Sequence, residues 1–423
     1  MIYYARGSET DSLTAGDLKT GLYSALDKIG KRKKVLAIPP DFTRFHSQAG
    51  ILTALVYQYY RKDLTDILPA LGTHSPMHSK ETNRMFENVP SELFRVHDWR
   101  KDILTAGIVS SEIVAELTKN LVSFSWPVQV NKLILEGGHD LILSIGQVVP
   151  HEVIGMANYN KNILIGAGGA ESLNKSHFLG AIYGLEKLMG RADNPVRKLL
   201  NYASEHFLSE LPIVYVQTVI GINSDGSLTT RGLFIGDDEE VFQLAAQLSV
   251  KVNIIKLSQP IHKAVVFLDP SEYKSTWLGN KSIYRTRMAL ADDAELIILA
   301  PGLKEFGEDP EIDRLIRKYG YIGTQAILKA VETEKELKNN LSAAAHLIHG
   351  SSEGRFSIVY CTEKLRQDEI ESVNYKYSPL NEMMIKYNPE NLLEGFNKMP
   401  DGEMIYFISN PALGLWAEGK RFT

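Results

Sequence analysis

Short runs of apolar residues alternate along this chain with longer stretches in which apolar residues recur at helical spacing. The short runs are bounded by Gly, Pro, Asn or Asp, and their nearly continuous apolar character is typical of parallel strands covered on both faces. The alternation predicts an α/β fold with mostly parallel sheets. The predicted strands are 34–40, 66–73, 140–146, 162–169, 213–221, 263–270, 295–302, 356–362 and 404–410. The predicted helices are 49–63, 239–252, 310–341 and 379–399.

The length of 423 residues exceeds what one hydrophobic core usually organises, so two domains are expected. Residues 213–237 are predicted to form a β-hairpin with Asp225-Gly226 as its turn. A helix follows this hairpin and closes the first domain. We therefore predict two α/β domains, residues 1–257 and 258–423, each with its own sheet.

Composition and charge narrow the class of partner. The net charge of −5 is small, and acidic and basic residues are interspersed, so the chain lacks the basic surface expected of a protein that binds nucleic acid or anionic membrane. A small-molecule partner is favoured. The single cysteine, Cys361, excludes an intrachain disulfide framework and a Cys-rich metal site. The N-terminal sequence does not resemble a signal peptide and no apolar run approaches 18 residues, so we expect a cytoplasmic protein.

Polar residues follow three of the predicted strands, at 39–44, 71–78 and 148–161. In a doubly wound sheet ligands collect at the carboxyl ends of the strands, so these segments are the candidate site. Arg44 is either a surface cation or a bidentate clamp for a carboxylate or phosphate. His74 is either a polar loop residue or a general base.

A glycine-rich stretch, NILIGAGG, reads as a strand that runs into a glycine turn and suggests a dinucleotide site. The G-x-G-x-x-G fingerprint fails, however, because Glu171 occupies the position of its third glycine. A generic turn that approaches a phosphate remains compatible with the sequence. The chain contains no P-loop, G-x-S-x-G or H-E-x-x-H motif.

The order and spacing of several residues resemble the nickel-pincer lactate racemase family. In that family a D-x-T-R turn and a G-x-H are followed by a histidine, a lysine ten residues later and a histidine sixteen residues after that. This chain has the same order and the same intervals of ten and sixteen. The matching residues are Asp41, Thr43, Arg44, His74, His151, Lys161 and His177. The likeness covers most of the first 260 residues and weakens beyond them.

The resemblance implies a nickel-pincer nucleotide attached to the protein through Lys161, with His177 as the protein ligand of the nickel. Imidazole suits nickel in a square-planar geometry. The resemblance also places Asp41 and Thr43 at the cofactor. It places the glycines of the turn beside the cofactor as well, where a missing Cβ would let the backbone approach. These glycines are Gly166, Gly168 and Gly169. Cofactor-synthesis enzymes would supply the nucleotide.

The activity implied by the resemblance is inversion of C2 in a small 2-hydroxy acid by proton-coupled hydride transfer. His74 and His151 would be the acid–base pair, one for each stereoisomer, each with a pKa near the ordinary value of about 6.5. Arg44 would bind the substrate carboxylate. The second domain would close the site in the cleft between the domains. There the family's Tyr-Gln…Lys segment corresponds to IYRTRM, which makes Tyr284, Arg285 and Arg287 candidate substrate contacts.

Departures from the family pattern concern the substrate. A Gly-Gly pair before the anchor lysine is replaced by Asn158-Tyr159-Asn160, and a Pro-Gly after it by Ile165-Gly166. No tryptophan occurs in 342–352, where lactate-type enzymes place one against the substrate. A larger and more polar pocket favours aldonates such as gluconate or mannonate, and lactate or another short 2-hydroxy acid is the alternative. Two other classes stay open, an NAD-dependent oxidoreductase and a non-catalytic protein that binds the cofactor.

Overall fold

A computed structural model of the chain describes residues 1–72, 74–223, 226–412 and 414–422. Two compact units are present, one formed by residues 1–183 and 187–253 and the other by 184–186 and 254–423. The sequence prediction placed the boundary at 257/258, a few residues later. The α/β class is confirmed, because each unit contains a mixed, mostly parallel six-stranded sheet.

The first unit is built on a sheet with the strand order β1-β10-β9-β6-β2-β3. Its four neighbours β9, β6, β2 and β3 are parallel, and β10 and β1 continue the sheet antiparallel. Two small hairpins, β4–β5 and β7–β8, lie outside it. The strands are β1 (Ile2–Gly7), β2 (Val35–Ile38), β3 (Leu64–Ile67), β4 (Ile103–Val109), β5 (Trp126–Asn131), β6 (Leu141–Gln147), β7 (Pro150–His151), β8 (Gly155–Met156), β9 (Ile213–Ile222) and β10 (Leu228–Gly236).

Both faces of this sheet are covered, which explains why the central strands are almost wholly apolar. Every residue of β6 is buried, and its alternate side chains enter two separate hydrophobic clusters. The helices of this unit are α1 (Ala15–Ile29), α2 (Ala49–Tyr60), α3 (Ser79–Met85), α4 (Ser111–Leu117), α5 (Lys132–Glu136), α6 (Ala170–Tyr183), α7 (Leu185–Leu188, whose first two residues belong to the second unit), α8 (Pro195–Phe207) and α9 (Glu239–Asn253).

The second unit has the strand order β15-β14-β13-β12-β17-β16, parallel except for the β16–β17 pair, and a separate parallel pair, β11–β18. Its strands are β11 (Ile254–Leu257), β12 (Ile261–Phe267), β13 (Leu290–Leu299), β14 (Phe356–Thr362), β15 (Lys376–Pro379), β16 (Gly395–Lys398), β17 (Met404–Ile408) and β18 (Leu415–Glu418). Its helices are α10 (Thr276–Gly279), α11 (Lys281–Thr286), α12 (Pro310–Tyr319), α13 (Thr324–Thr333), α14 (Lys335–Lys338), α15 (Leu341–His349), α16 (Gln367–Ser372) and α17 (Leu380–Lys386).

Three sequence predictions need correction. Residues 162–169 are not a strand, because 162–166 form a single π-helical turn. The helix predicted at 310–341 is broken after Tyr319, where Gly320 and Gly323 adopt φ values of 64° and 98° that end a right-handed helix. The helix predicted at 379–399 ends at Lys386, and its distal part is strand β16.

The predicted hairpin is present as the antiparallel pair β9–β10, although Asp225 of its predicted turn lies outside the described residues. Within the described part of the chain, no helix is long and apolar enough to cross a membrane.

Candidate active site

The three polar segments predicted at strand ends meet in the first unit. Pro40, after β2, forms a bridge with Ala70, after β3, and the Ala70 amide donates to the Pro39 carbonyl (2.8 Å). The Gly72 amide donates to the carbonyl of Gly166, at the end of the π-helical turn (2.8 Å). Backbone hydrogen bonds therefore hold the loop that carries His74 against the segment after β2 and against the π-helical turn that follows Lys161.

Asp41 and His74 form a hydrogen-bonded pair. The Nδ1 of His74 lies 2.6 Å from Asp41 Oδ2, and the Thr43 hydroxyl donates to Asp41 Oδ1 (2.5 Å). Burial is the largest single effect and would raise the pKa of Asp41, but the hydrogen bonds from His74 and Thr43 and the nearby charges of His74 and Arg44 together outweigh it, so the net shift is downward. A carboxylate that accepts from Nδ1 places the ring proton there and leaves Nε2 of the neutral ring able to accept a proton.

This pairing indicates a role for Asp41 and Thr43 that differs from the cofactor contact implied by the resemblance. Both carboxylate oxygens are occupied by groups of the chain itself, so Asp41 orients His74 and Thr43 orients Asp41. The side chain of His74 is 45 % exposed, whereas that of Asp41 is 8 % exposed. The arrangement is a buried carboxylate behind an accessible imidazole.

Arg44 lies three residues beyond Asp41, in a half-buried turn. Its guanidinium has no carboxylate within ion-pair distance in the described part of the chain, and its charge acts on Asp41, His151 and Lys161. An unneutralised guanidinium beside the candidate acid–base groups suits the binding of an anionic ligand group.

His151 is buried at the end of β7, and its Nδ1 accepts a hydrogen bond from the Val153 amide (3.1 Å). An amide can only donate, so the proton of the neutral ring lies on Nε2. Burial, reinforced by the positive charges of Lys161 and Arg44, holds the pKa of His151 well below its usual range. The expectation that His151 titrates near 6.5 is therefore wrong, because a charged ring would be poorly solvated there.

Lys161 immediately precedes the π-helical turn, an irregularity often found at functional sites. Its amine forms no hydrogen bond or ion pair with the residues that the structure describes. Burial, together with the nearby guanidinium groups of Arg44 and Arg197, lowers the pKa of Lys161 to about 8. An appreciable fraction of this amine is therefore uncharged near neutral pH, as a nucleophilic or acylated lysine requires.

His177 lies on α6, and its Nδ1 donates to the carbonyl of Leu173, one turn earlier (2.7 Å). A carbonyl can only accept, so Nε2 retains its lone pair, and a carbonyl behind the ring is the usual support of a metal-binding histidine. Burial lowers the pKa of His177 to about 4, so protons compete weakly for this nitrogen. The ring therefore meets the requirements for a metal ligand.

The glycines of the turn serve packing within the chain. A Cβ on Gly166 would lie 2.8 Å from the Ala70 side chain, one on Gly168 would lie 2.0 Å from the Leu164 carbonyl, and one on Gly169 would lie 2.5 Å from Gln129 Oε1. These contacts account for the glycines without a ligand. Their assignment as cofactor contacts stays a prediction.

Gln129 also determines what the first turn of α6 can bind. Its Oε1 accepts from the amides of Glu171 and Ser172 (3.2 and 3.3 Å), which would otherwise be available to a phosphate. The dinucleotide reading of the glycine stretch depends on such free amides. The geometry therefore disfavours it.

The loop before Lys161 is held in an unusual conformation. Asn158 and Tyr159 both have left-handed backbones, with φ values of 66° and 58°, which glycine adopts at less cost. The replacement of the family's Gly-Gly pair thus falls where the backbone favours glycine. Arg197, almost fully buried, donates to the Met156 carbonyl (2.6 Å) and to the side-chain oxygen of Asn160.

The sequence analysis missed several buried polar groups close to this loop. Arg197 is one, and the amide side chains of Asn158 and Gln217 are two more. The signal for Gln217 was present, since it is a polar residue inside the apolar strand run IVYVQTVIG. The sequence marks Asn158 only as a departure from the family's Gly-Gly pair, and no pattern marks Arg197.

The second unit contains the three predicted substrate contacts, all of them buried. Tyr284 shares a hydrogen bond with His346 Nδ1 (2.8 Å), and Arg285 donates to the Gly414 carbonyl (3.3 Å). Arg287 pairs with Glu186 (3.2 Å) and also donates to two backbone carbonyls. These contacts favour a structural role for Arg287 over the predicted contact with substrate.

The segment that lacks the family's tryptophan is the buried helix α15. Trp277, on α10, packs against His346 of this helix with a ring separation of 4.5 Å. A bulky aromatic side chain therefore lies against α15 from another element. The absence of a tryptophan in 342–352 is thus no evidence by itself for a larger pocket.

Comparison with known proteins places the first unit beside one enzyme family. Residues 20–188, which contain the predicted site residues of the first unit, match the family model described as the lactate racemase N-terminal domain. Residues 20–188 therefore resemble the N-terminal domain of lactate racemases. Members of this family are racemases and epimerases of 2-hydroxy acids that use a nickel-pincer nucleotide.

Solved structures extend the likeness to the fold of the whole chain. A structural-genomics crystal structure of a Thermotoga maritima protein has 25 % sequence identity and a TM-score of 0.79, covering 96 % of this chain and 98 % of that one. The lactate racemase apoprotein from Thermoanaerobacterium thermosaccharolyticum has 18 % identity and a TM-score of 0.69, covering 99 % and 94 %. No curated protein sequence matches the chain.

No group of three or more His, Cys, Asp or Glu side chains in the described residues could hold a metal ion.

Proposed function

We propose that this chain inverts C2 of a 2-hydroxy acid, with Lys161 as the covalent anchor of a nickel-pincer nucleotide and His177 as the nickel ligand. The preferred substrates are aldonates such as gluconate or mannonate, with lactate or another short 2-hydroxy acid as the alternative. The observation that carries the proposal is the Lys161 amine, which is half-buried, lacks a carboxylate partner among the described residues and has a pKa of about 8.

The residues of the first unit fit such a group. Lys161 can be acylated because part of its amine is uncharged, and His177 offers an unprotonated Nε2 supported by the Leu173 carbonyl. When bound, the nucleotide supplies an acceptor for the hydrogen at C2 together with its electron pair. The glycines of the neighbouring turn are compatible with this role but are not evidence for it.

The chain's own residues would bind the substrate and move its hydroxyl proton. Arg44 binds the carboxylate of the hydroxy acid, which fixes C2 relative to the bases. His74 Nε2 accepts the hydroxyl proton of one stereoisomer, and Asp41 stabilises the resulting imidazolium. His151 serves the other stereoisomer, and it can act as a base only after the Val153 amide releases Nδ1.

The test is co-expression with the cofactor-synthesis enzymes, followed by intact mass, nickel content and a panel of 2-hydroxy acids. We expect a mass excess equal to the nucleotide, nickel near one per chain and turnover of aldonates. Lys161→Ala should lose the mass excess, the nickel and the activity. Lys175→Ala should keep all three, because Lys175 is paired with Glu171 (2.6 Å) and is not an anchor.

Each outcome of this test has a defined meaning. An unmodified mass in a host that loads a known family member would overturn the role of Lys161. Turnover of lactate without any turnover of sugar acids would replace the preferred substrate class. A loaded protein that turns over no hydroxy acid would mean that the chain binds the cofactor without catalysis.

A further inference from the structure

Two amide side chains in the first unit are buried without hydrogen-bond partners. Gln217, on β9, has no exposed surface, and Asn158, in the loop before Lys161, is 2 % exposed. Within the described part of the chain, neither the oxygen nor the nitrogen of either amide has a partner. Buried polar groups are nearly always paired, so four unpaired atoms in two side chains indicate a missing partner.

Both amides lie near Gly146 on one face of the first sheet. In the parallel pair β6–β9, Gly146 lies opposite Gln217, so both residues face the same side of the sheet. A Cβ on Gly146 would lie 3.3 Å from the amide group of Asn158. The absence of a side chain at Gly146 therefore lets the Asn158 amide pack over this strand, on the sheet face that also carries Gln217, and we call Gly146, Asn158 and Gln217 the amide pocket.

The surroundings of the amide pocket indicate what kind of group it accepts. Ser144 is on the same face of β6, two residues before Gly146, and its buried hydroxyl also lacks a partner among the described residues. Tyr215, opposite Ser144, packs against Tyr159 with a ring separation of 4.3 Å. Amides and a hydroxyl offer donors and acceptors together, so their best partner is a neutral group that also both donates and accepts.

We propose that the amide pocket is a subsite for adjacent hydroxyl groups of a ligand. It lies beside the segment that carries Lys161, because Asn162 donates to the Ile145 carbonyl at the end of β6 (3.1 Å). Assigning these hydroxyls to the chain of an aldonate rests on the proposed function. The ribose of the nucleotide carries the same chemistry, and the experiment below separates the two sources.

The test compares Gln217→Met with Thr218→Val in protein made without cofactor. Methionine has nearly the shape of glutamine but leaves no unpaired amide, so Gln217→Met should raise the melting temperature or leave it unchanged. Thr218→Val removes a buried hydroxyl that donates to the Ser47 carbonyl (2.7 Å) and should lower it. A comparable fall in both variants would mean that Gln217 has a structural partner and would overturn the subsite.

Ligand binding is measured by thermal shift with gluconate, nicotinic acid mononucleotide and lactate. Wild type should be stabilised by gluconate if the substrate fills the amide pocket, or by the mononucleotide if the ribose does. Gln217→Met should weaken that binding about tenfold. Asn158→Gly should do the same, and its backbone suits the φ of 66°. Lactate has no further hydroxyl groups and is the ligand control.

Three results would overturn the subsite: wild type stabilised by neither gluconate nor the mononucleotide, both variants binding them as wild type does, or lactate binding weakened to the same extent. All of these measurements use cofactor-free protein. They therefore remain informative if Lys161 proves not to carry the nucleotide. Conversely, loss of the amide pocket would leave the mass and nickel test of Lys161 untouched.

Discussion

Replacing Asp41 with asparagine tests whether the buried carboxylate makes His74 a base. Asparagine keeps the size of the side chain but removes its charge, and its NH2 group can donate to Nδ1 and reverse the tautomer of the ring. In the wild type, Nδ1 lies 2.6 Å from a carboxylate that is 8 % exposed. The substitution therefore removes a short, charge-assisted hydrogen bond.

The size of the effect follows from that contact. A hydrogen bond to a charged group contributes about 1.5–3 kcal/mol. If all of it stabilises the imidazolium formed in the transition state, its loss slows turnover about 10- to 150-fold. Because the His74 side chain is 45 % exposed, solvent screens part of the interaction and we expect a fall nearer tenfold.

The assay is the pH dependence of kcat/KM for the loaded enzyme, with equilibrium unfolding of the same samples. Asp41→Asn should lower the plateau, because the imidazolium formed during turnover loses its counterion. The matched control is Asp66→Asn, which breaks a buried pair with His139 (3.0 Å) before the amino end of β6. Asp66→Asn should lower the free energy of unfolding without changing the pH dependence of kcat/KM.

Two results would refute this reasoning. One is a plateau for Asp41→Asn within twofold of wild type, which would mean that Asp41 does not support a base. The other is an equal kinetic loss in Asp66→Asn, which would mean that both effects come from general destabilisation.

Three further predictions concern the other groups of the site. Cofactor-free protein should lose stability as the pH falls from about 6.5 to 4, because the unfolded chain gains a proton that folded His177, with a pKa of about 4, does not. In denaturant titrations at pH 7.5 and 5, His177→Gln should lose less stability between the two pH values than wild type does. An equal loss in the variant and wild type would contradict this prediction. At pH 8 an acylating reagent should modify Lys161, with its pKa of about 8, faster than the ion-paired Lys175, as measured by peptide mass spectrometry, and the reverse order would be evidence against an uncharged amine. Val153→Pro removes the amide N–H that donates to His151 Nδ1, so its 15N imidazole spectrum should lose the pure Nε2–H signature. Val153→Ala keeps that amide and should retain the signature. Identical spectra of the two variants would mean that the Val153 amide does not set the tautomer of His151.

The sequence predicted the parts of the fold that depend on buried apolar runs. Strands such as 140–146 and 213–221 stand close to their predicted bounds because covered parallel strands are apolar throughout. The same rule misread 162–169, since an apolar run of this length is equally compatible with a short buried helical turn. Gly320 and Gly323 already marked the break in the helix predicted at 310–341.

For the candidate site too, the sequence could predict some features and not others. His74, His151, Lys161 and His177 were found by order and interval, and the structure brings their segments together in the first unit. The spacing of the histidines could not predict the hydrogen bond at the Nδ1 of His151 or of His177, because these bonds depend on contacts with Val153 and Leu173. These contacts decide which ring nitrogen can accept a proton or a metal.

Arg197 has a consequence for how an anionic cofactor reaches Lys161. Its guanidinium is almost fully buried, has no carboxylate within ion-pair distance in the described residues, and keeps its charge at neutral pH because burial lowers its pKa only to about 10. Arg197 and Arg44 together create a positive potential around the Lys161 amine. The low dielectric constant of the protein interior strengthens electrostatic interactions there. A nucleotide phosphate would be drawn toward this region before any bond to Lys161 forms, so loading should slow as ionic strength rises. If Lys161 carries the proposed nucleotide, the side chain that holds the loop also attracts that ligand over a long range.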